Sequence, residues 1–171
     1  MDGVDGRRGS ISEEFSSGED FSISSQKIRK IYERMWMKTR KTYGLTQNEI
    51  DMLLFLKKHP NIDTAADIAS CCSLSRSLVC KSVEALLKIH YLVVQTDKQD
   101  RRYLHLKLTD QAIQVLKELE TRHARFWEVL MTDVSQEEIL IFKKVLGKMR
   151  GNLEKVEEDM AQEKKKGEVC I

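Results

Sequence analysis

The stretch from Leu74 to Thr109 constrains the fold more than any other part of the chain. It joins an amphipathic segment, Ser75 to Lys88, to two strand-forming runs, Tyr91 to Thr96 and Tyr103 to Thr109. Between the runs lies a charged tip, Asp97-Lys98-Gln99-Asp100-Arg101-Arg102. Leu78, Val79, Val83, Leu86 and Leu87 recur at helical spacing and predict one buried stripe. The first run is β-branched and aromatic. In the second, Leu104, Leu106 and Leu108 alternate with Tyr103, His105 and Lys107, the period of a half-buried strand. Helix, strand, charged loop, strand is the order read here. The helix also carries Arg76, Ser77, Cys80, Lys81, Glu84 and Lys88 off its stripe, a polar edge that burial does not require. Such an edge beside a charged hairpin suits a helix laid in a DNA groove.

The flanking residues fix this stretch within a helical chain. Residues 1–22 are rich in Gly, Ser and acidic residues and read as a mobile arm. Ser24 to Tyr43 reads as a helix, with Ile28, Ile31 and Met35 on one side and Tyr32 and Trp36 beside them. Gly44 is placed to end it. Thr46 and Glu49 form a capping box that opens a helix ended by His59-Pro60. Thr64 and Asp67 open a short third helix, and Cys71-Cys72-Ser73 reads as the turn after it, with Ser75 the N-cap of the next. Thr109 caps a helix to about Met131. Ser135 and Glu138 form another capping box. The helix it opens carries Ile139, Phe142, Leu146, Met149, Leu153, Val156 and Met160, a coiled-coil seam alternating by three and four. Residues 161–171 read as a solvated tail.

With 171 residues, 41% hydrophobic and 33% charged, the chain suits one globular domain with a fair core. One proline and eight glycines favour long helices over a β-sandwich. The net charge of +2 excludes a uniformly basic nucleic-acid coat. The charge is not even, however. Residues 64–109 hold seven Lys/Arg against four Asp/Glu, a net of +3, which leaves −1 for the rest. No apolar run of signal-peptide type opens the sequence and no 18-residue apolar segment occurs, so a cytoplasmic protein with no membrane contact and free thiols is expected.

Two short helices joined by a tight turn and followed by a hairpin predict a winged helix-turn-helix. The fold class read from the residues is thus mainly α with a small β-hairpin wing. Arg76, in the first turn of the second helix, is the candidate for a bidentate guanine contact. Ser75, Ser77, Cys80 and Lys81 lie on the same side, the serines and Lys81 suited to phosphates. In the wing, Asp100 and Arg102 project to one side and can pair, which would aim the arginine, while Lys98 and Arg101 add phosphate charge. The seam of Ile139 to Met160 extends past what a compact monomer would bury, which points to a homodimer.

The chain resembles the MarR family (multiple antibiotic resistance regulators) over about residues 24–155. Leu45-Thr46…Leu53-Leu54, Ala65…Ile68-Ala69, Leu74-Ser75-Arg76-Ser77-Leu78-Val79…Val83…Leu86, Tyr91-Leu92 and Asp100-Arg101-Arg102…Leu106-Lys107-Leu108-Thr109 carry the resemblance. It implies a reading head, with helix-turn-helix 64–90 and wing 91–109, on a dimerisation platform of helices 24–43, 110–131 and 135–160. It further implies a homodimer on a palindromic double-stranded DNA operator, acting as a repressor released by a small effector or by oxidation. The arginine at position 102 would reach the minor groove, supported by Asp100. Tyr32, Trp36 and Tyr43 would line an effector cleft for an aromatic ligand; the plainer reading is core packing. Three positions depart from the family pattern: His90 replaces a glycine, Lys98 a proline and Cys80 a small polar residue.

Two other functions compete with this one. Cys80, or the pair Cys71 and Cys72, could form a thiol switch, although the family's peroxide sensors carry their cysteine in the first helix and none occurs there. A winged helix that mediates protein contacts without reading DNA is the second. His59, His90, His105 and His123 are scattered without metal-ligand spacing. No nucleophile–base constellation or phosphate-binding glycine loop occurs. Neither an enzyme nor a bound cofactor is expected.

Overall fold

A computed structural model describes residues 19–167. Its elements are α1 (Glu19–Met35), α2 (Met37–Tyr43), α3 (Gln47–Lys58), α4 (Ala65–Cys71), α5 (Arg76–Lys88), β1 (Leu92–Thr96), β2 (Leu104–Leu108), α6 (Asp110–Leu130) and α7 (Gln136–Gly167). The winged helix-turn-helix order is as expected. Two compact units divide the chain, residues 1–126 and 127–171.

The caps read from the sequence are formed. Thr46 and Glu49 make both halves of a capping box, as do Ser135 and Glu138. The Thr64 hydroxyl accepts from the Asp67 amide and the Ser75 hydroxyl from the Leu78 amide. Thr109 accepts from the Ala112 amide and donates its own hydroxyl proton to the His90 carbonyl, tying α6 to the end of α5. Each such cap satisfies an amide that the helix leaves without a partner.

Two helices end on left-handed residues that are not glycine. After α4, Ser73 has φ 51°, and Leu74 donates to the Ala69 carbonyl. After α5, His90 has φ 59°, with its own amide on Leu87 and that of Tyr91 on Leu86. These are Schellman closures, which reverse the chain within a residue or two. The first sets the turn between α4 and α5; the second launches β1.

The first unit has one core. Trp36, Ile50, Leu53, Ile68, Val79, Leu86, Leu92, Leu116 and Leu119 are wholly or almost wholly buried. Each buried aliphatic side chain contributes about 1.5–3 kcal/mol relative to exposure. On α5 the buried residues are Val79, Ser82, Val83 and Leu86. Leu78 and Leu87 are only half-buried, at the margins of the stripe. On α6 the buried stripe is Ala112, Val115, Leu116 and Leu119, and Ile113 lies outside it.

The strands pair antiparallel, with Leu92 opposite Leu108, Val94 opposite Leu106 and Thr96 opposite Leu104. The Leu106 amide donates to the Asp63 carbonyl at 2.7 Å, so the segment before α4 flanks β2. The alternation in β2 holds at Leu106 and Leu108 but not at Leu104, which is exposed. Leu104 stands at the far end of the hairpin, beyond the reach of the core.

Several boundaries differ from expectation: Cys71, read as turn, closes α4, β1 begins at Leu92 rather than Tyr91, and three differences are larger. Residues 1–18 of the expected arm lie outside the described residues, and α1 is already formed at Glu19. Glu19 and Asp20 in its first turn suit the positive end of the helix dipole. Trp36 interrupts the helix expected to run unbroken to Tyr43; its ψ of −7° departs from helical values, and its indole is fully buried. α7 continues through Ala161 to Gly167 where a tail was expected, since Gln, Glu and Lys are good helix formers; residues 168–171 lie outside the described residues.

In the second unit, α7 presents Phe142, Met149, Leu153, Val156 and Met160, all exposed, together with Leu140, Ile141 and Val145. A cavity of about 470 Å³ is lined by Met131, Val134, Ile139, Ile141, Phe142 and Val145 among others. Most of the seam read from the heptads is therefore exposed in the single chain, with Ile139 and Leu146 half-buried.

Candidate nucleic-acid interface

Ser75, Arg76, Ser77, Cys80 and Lys81 are all exposed, while Val79, Ser82 and Val83 between and beyond them are buried. Burying one stripe of α5 necessarily turns the opposite residues to solvent. The first turn holds no acidic residue, so Arg76 and the helix dipole act there with one sign.

The wing is built around two aspartates. One carboxylate oxygen of Asp97 accepts from the amides of Gln99 at 2.7 Å and Asp100 at 2.8 Å, closing the turn. Asp100 accepts from the Arg102 amide at 3.0 Å, from Nε at 3.0 Å and from a terminal guanidinium nitrogen at 2.7 Å. The expected pair is present, but in a tight turn rather than an extended strand. The backbone bond adds a third tether that strand spacing did not suggest. These bonds hold the Asp100 carboxyl below, and the Arg102 guanidinium above, their ordinary values. The Arg102 side chain keeps 88% of its surface exposed, so it is aimed without being buried. Lys98 and Arg101 are exposed on either side.

Behind the wing lies a network that sequence reasoning missed. Nδ1 of His105 meets Asp63 at 2.7 Å, and its Nε2 faces the second oxygen of Asp97 at 3.4 Å. The Lys107 ammonium donates to the other oxygen of Asp63. Burial alone would raise the Asp63 carboxyl, but the hydrogen bonds from Lys107 and His105 outweigh it and leave it below its ordinary value. The bond to Asp63 raises His105. A polar cleft of about 600 Å³ opens here, lined by Asp63, Gln95, Asp97, Lys98, His105 and Lys107 among others. The two-residue spacing of His105 and Lys107 marked them as one outward face. Nothing local to Asp63 said that it would meet them, because the contact spans more than forty positions.

The aromatic candidates are packed. Trp36 is fully buried. Tyr32 lies edge-on to Trp36 and Phe126 and donates its hydroxyl to Asp51. Tyr43 donates to Glu118 at 2.7 Å. Trp36 thus offers no surface to a ligand in the single chain, whereas Tyr32 and Tyr43 stay partly accessible. Cys71, Cys72 and Cys80 are free thiols, and Cys170 lies outside the described residues. Burial raises the Cys72 thiol, which opposes thiolate reactivity there. Among the described residues no cluster of His, Cys, Asp and Glu could hold a metal ion, and no helix is long and apolar enough to cross a membrane.

The MarR family model matches residues 43–102, the span from the end of α2 to the wing arginine. Solved structures share the wider fold. S. aureus MepR bound to DNA is 20% identical, with a TM-score of 0.67 over 82% of this chain and 98% of its own. S. aureus MepR in its DNA-binding conformation reaches a TM-score of 0.71 at 21% identity, over 78% and 98%. A MarR transcriptional regulator from Methanosarcina mazei Go1 gives 0.67 at 15% identity, over 81% and 99%. No curated protein sequence matches the chain. The winged helix of these MarR regulator structures is therefore the fold of this chain, with residues 97–102 at the tip of its hairpin.

Proposed function

We propose that the protein is a dimeric, sequence-specific DNA-binding transcriptional regulator, a repressor released by a small effector. The observation that carries this reading is the joint exposure of a polar α5 edge and of Arg102 held by Asp100. Arg76 reads bases in the major groove, Ser75, Ser77, Cys80 and Lys81 hold its flanks, and Arg102 enters the minor groove. Lys98 and Arg101 bind phosphates beside it. Two copies joined through α1, α2, α6 and α7 present two recognition helices about 34–36 Å apart, matching a palindromic operator. The largely exposed α7 seam supports the dimer. That S. aureus MarR has been solved with salicylate and kanamycin supports a small-molecule effector. Tyr32 and Tyr43 are candidates to meet it, as is a cavity of about 290 Å³ lined by Met52, Phe55, Ile68, Leu78 and Val79 within the reading head.

The test is a fluorescence titration at fixed salt. The DNA from upstream of the protein's own coding sequence is compared with a random duplex of equal length. Tighter binding to the former, weakened in Arg76→Ala, is expected. Equal, salt-sensitive binding to both would leave only non-specific attraction. Absence of binding to either would favour a protein-interaction module. A thiol switch predicts that peroxide weakens binding in the wild type and not in Cys80→Ser.

A further inference from the structure

The cleft behind the wing contains a histidine whose two ring nitrogens face carboxylates from different segments. Nδ1 of His105 is 2.7 Å from Asp63, which lies before α4 in the body of the domain. Its Nε2 is 3.4 Å from Asp97, which lies in the wing turn. A neutral imidazole donates from one nitrogen only, and its other nitrogen presents a lone pair. Facing two carboxylates, that form would bond one and repel the other. Only the imidazolium can donate to both. We propose that doubly protonated His105 positions the wing arginine, by joining Asp63 of the body to Asp97 of the turn that carries Asp100 and Arg102.

Each link of this chain has a partner. Asp63 is 7% exposed, and its second oxygen is taken by Lys107, so it is fixed in the body and ionised. Asp97 uses one oxygen to close the turn through the Gln99 and Asp100 amides, which leaves the other for His105. Asp100, placed by that turn, grips Arg102 through backbone and guanidinium. The charged groups around the ring are Asp63 from the body, Asp97 and Lys98 from the wing and Lys107 from β2, with Lys57 of α3 in the adjoining cavity. The two carboxylates are in contact with the ring, and they decide its state. Its affinity for the proton is raised, first by the bond to Asp63. The sign follows: the tether is fully present below the ordinary histidine value near 6.5 and is lost as pH rises through the higher folded value.

This inference rests on the DNA-binding reading, but half of its test does not need DNA. In full-length protein, backbone heteronuclear NOE values for residues 98–102 would be measured at pH 6 and pH 8.5. The wild type should lose wing order between the two, and His105→Phe should be equally loose at both. Affinity for the upstream duplex at fixed salt should fall about five- to tenfold over the same interval, the order of one lost arginine contact. His105→Phe should abolish that pH dependence, while Arg76→Ala weakens binding and retains it. Wing order that is indifferent to pH and to His105→Phe would overturn the proposal whatever the DNA results. So would a loosened wing with unchanged affinity when Arg76→Ala does weaken binding. If no variant and no pH alters binding because the wild type does not bind, the DNA reading fails, and with it the arginine's purpose, while the NOE change still reports the tether.

Discussion

At the residue scale, the molecule separates groups that hold shape from groups left free. Asp100 accepts from three donor groups of Arg102, its amide, Nε and a terminal guanidinium nitrogen. Asp100→Ala should therefore reduce affinity for the upstream duplex nearly as much as Arg102→Ala, with an unchanged melting temperature. Equal affinity for wild type and Asp100→Ala in a titration would remove its aiming role. His90 sits at φ 59° with its side chain exposed, where only its backbone is used. His90→Gly should stabilise the fold by about 1 kcal/mol, and His90→Val should destabilise it, as read from urea midpoints. The left-handed cap at His90 was legible because its place in the family pattern is a glycine. The one at Ser73 was not, since serine gives no such signal. Asp63 was illegible for another reason: an aspartate immediately before a capping threonine looks like ordinary loop polarity until β2 is laid beside it.

At the scale of elements, the capping residues and apolar periods placed the starts of α3 to α7, because an N-terminal cap is a local interaction with a local signature. Thr46→Ala should cost about 1 kcal/mol, since it opens both halves of the box on α3. Leu86→Ala, in the buried stripe of α5, should cost about 2–5 kcal/mol by calorimetry or denaturant titration. Burial was harder to read at the margins. Leu104 and Ile113 fit their periods and are nevertheless exposed, because period assigns a face and not how far the core reaches along it. The Asp63 cluster also ties element stability to acid. Its carboxyl lies below the ordinary value, so its contribution is complete above pH ~4 and lost as pH falls through the folded value. Asp63→Asn should flatten that acid limb of the stability profile; an unchanged limb would assign it to other carboxylates.

For the whole molecule, the reading head has a closed core, whereas α7 keeps Leu153, Val156 and Met160 more than half exposed. Leu153→Glu with Val156→Glu should shift sedimentation equilibrium toward monomer and leave the head folded, as judged by wing and α5 resonances. Unchanged mass would place the contact elsewhere. The heptads disclosed this seam in the sequence, because a coiled-coil period outlasts the helix packing that any one domain needs. Within α7, Gly147 and Gly151 lie in open space and weaken the helix by about 1 kcal/mol each relative to alanine. If a second copy covers the exposed face, part of the order of this helix comes from association. Its helicity then has a concentration attached. Circular dichroism should decline on dilution before the head melts, and the melting curve should move with protein concentration. In a cell the number of copies would set not only how often the DNA is occupied but how much of each copy is folded.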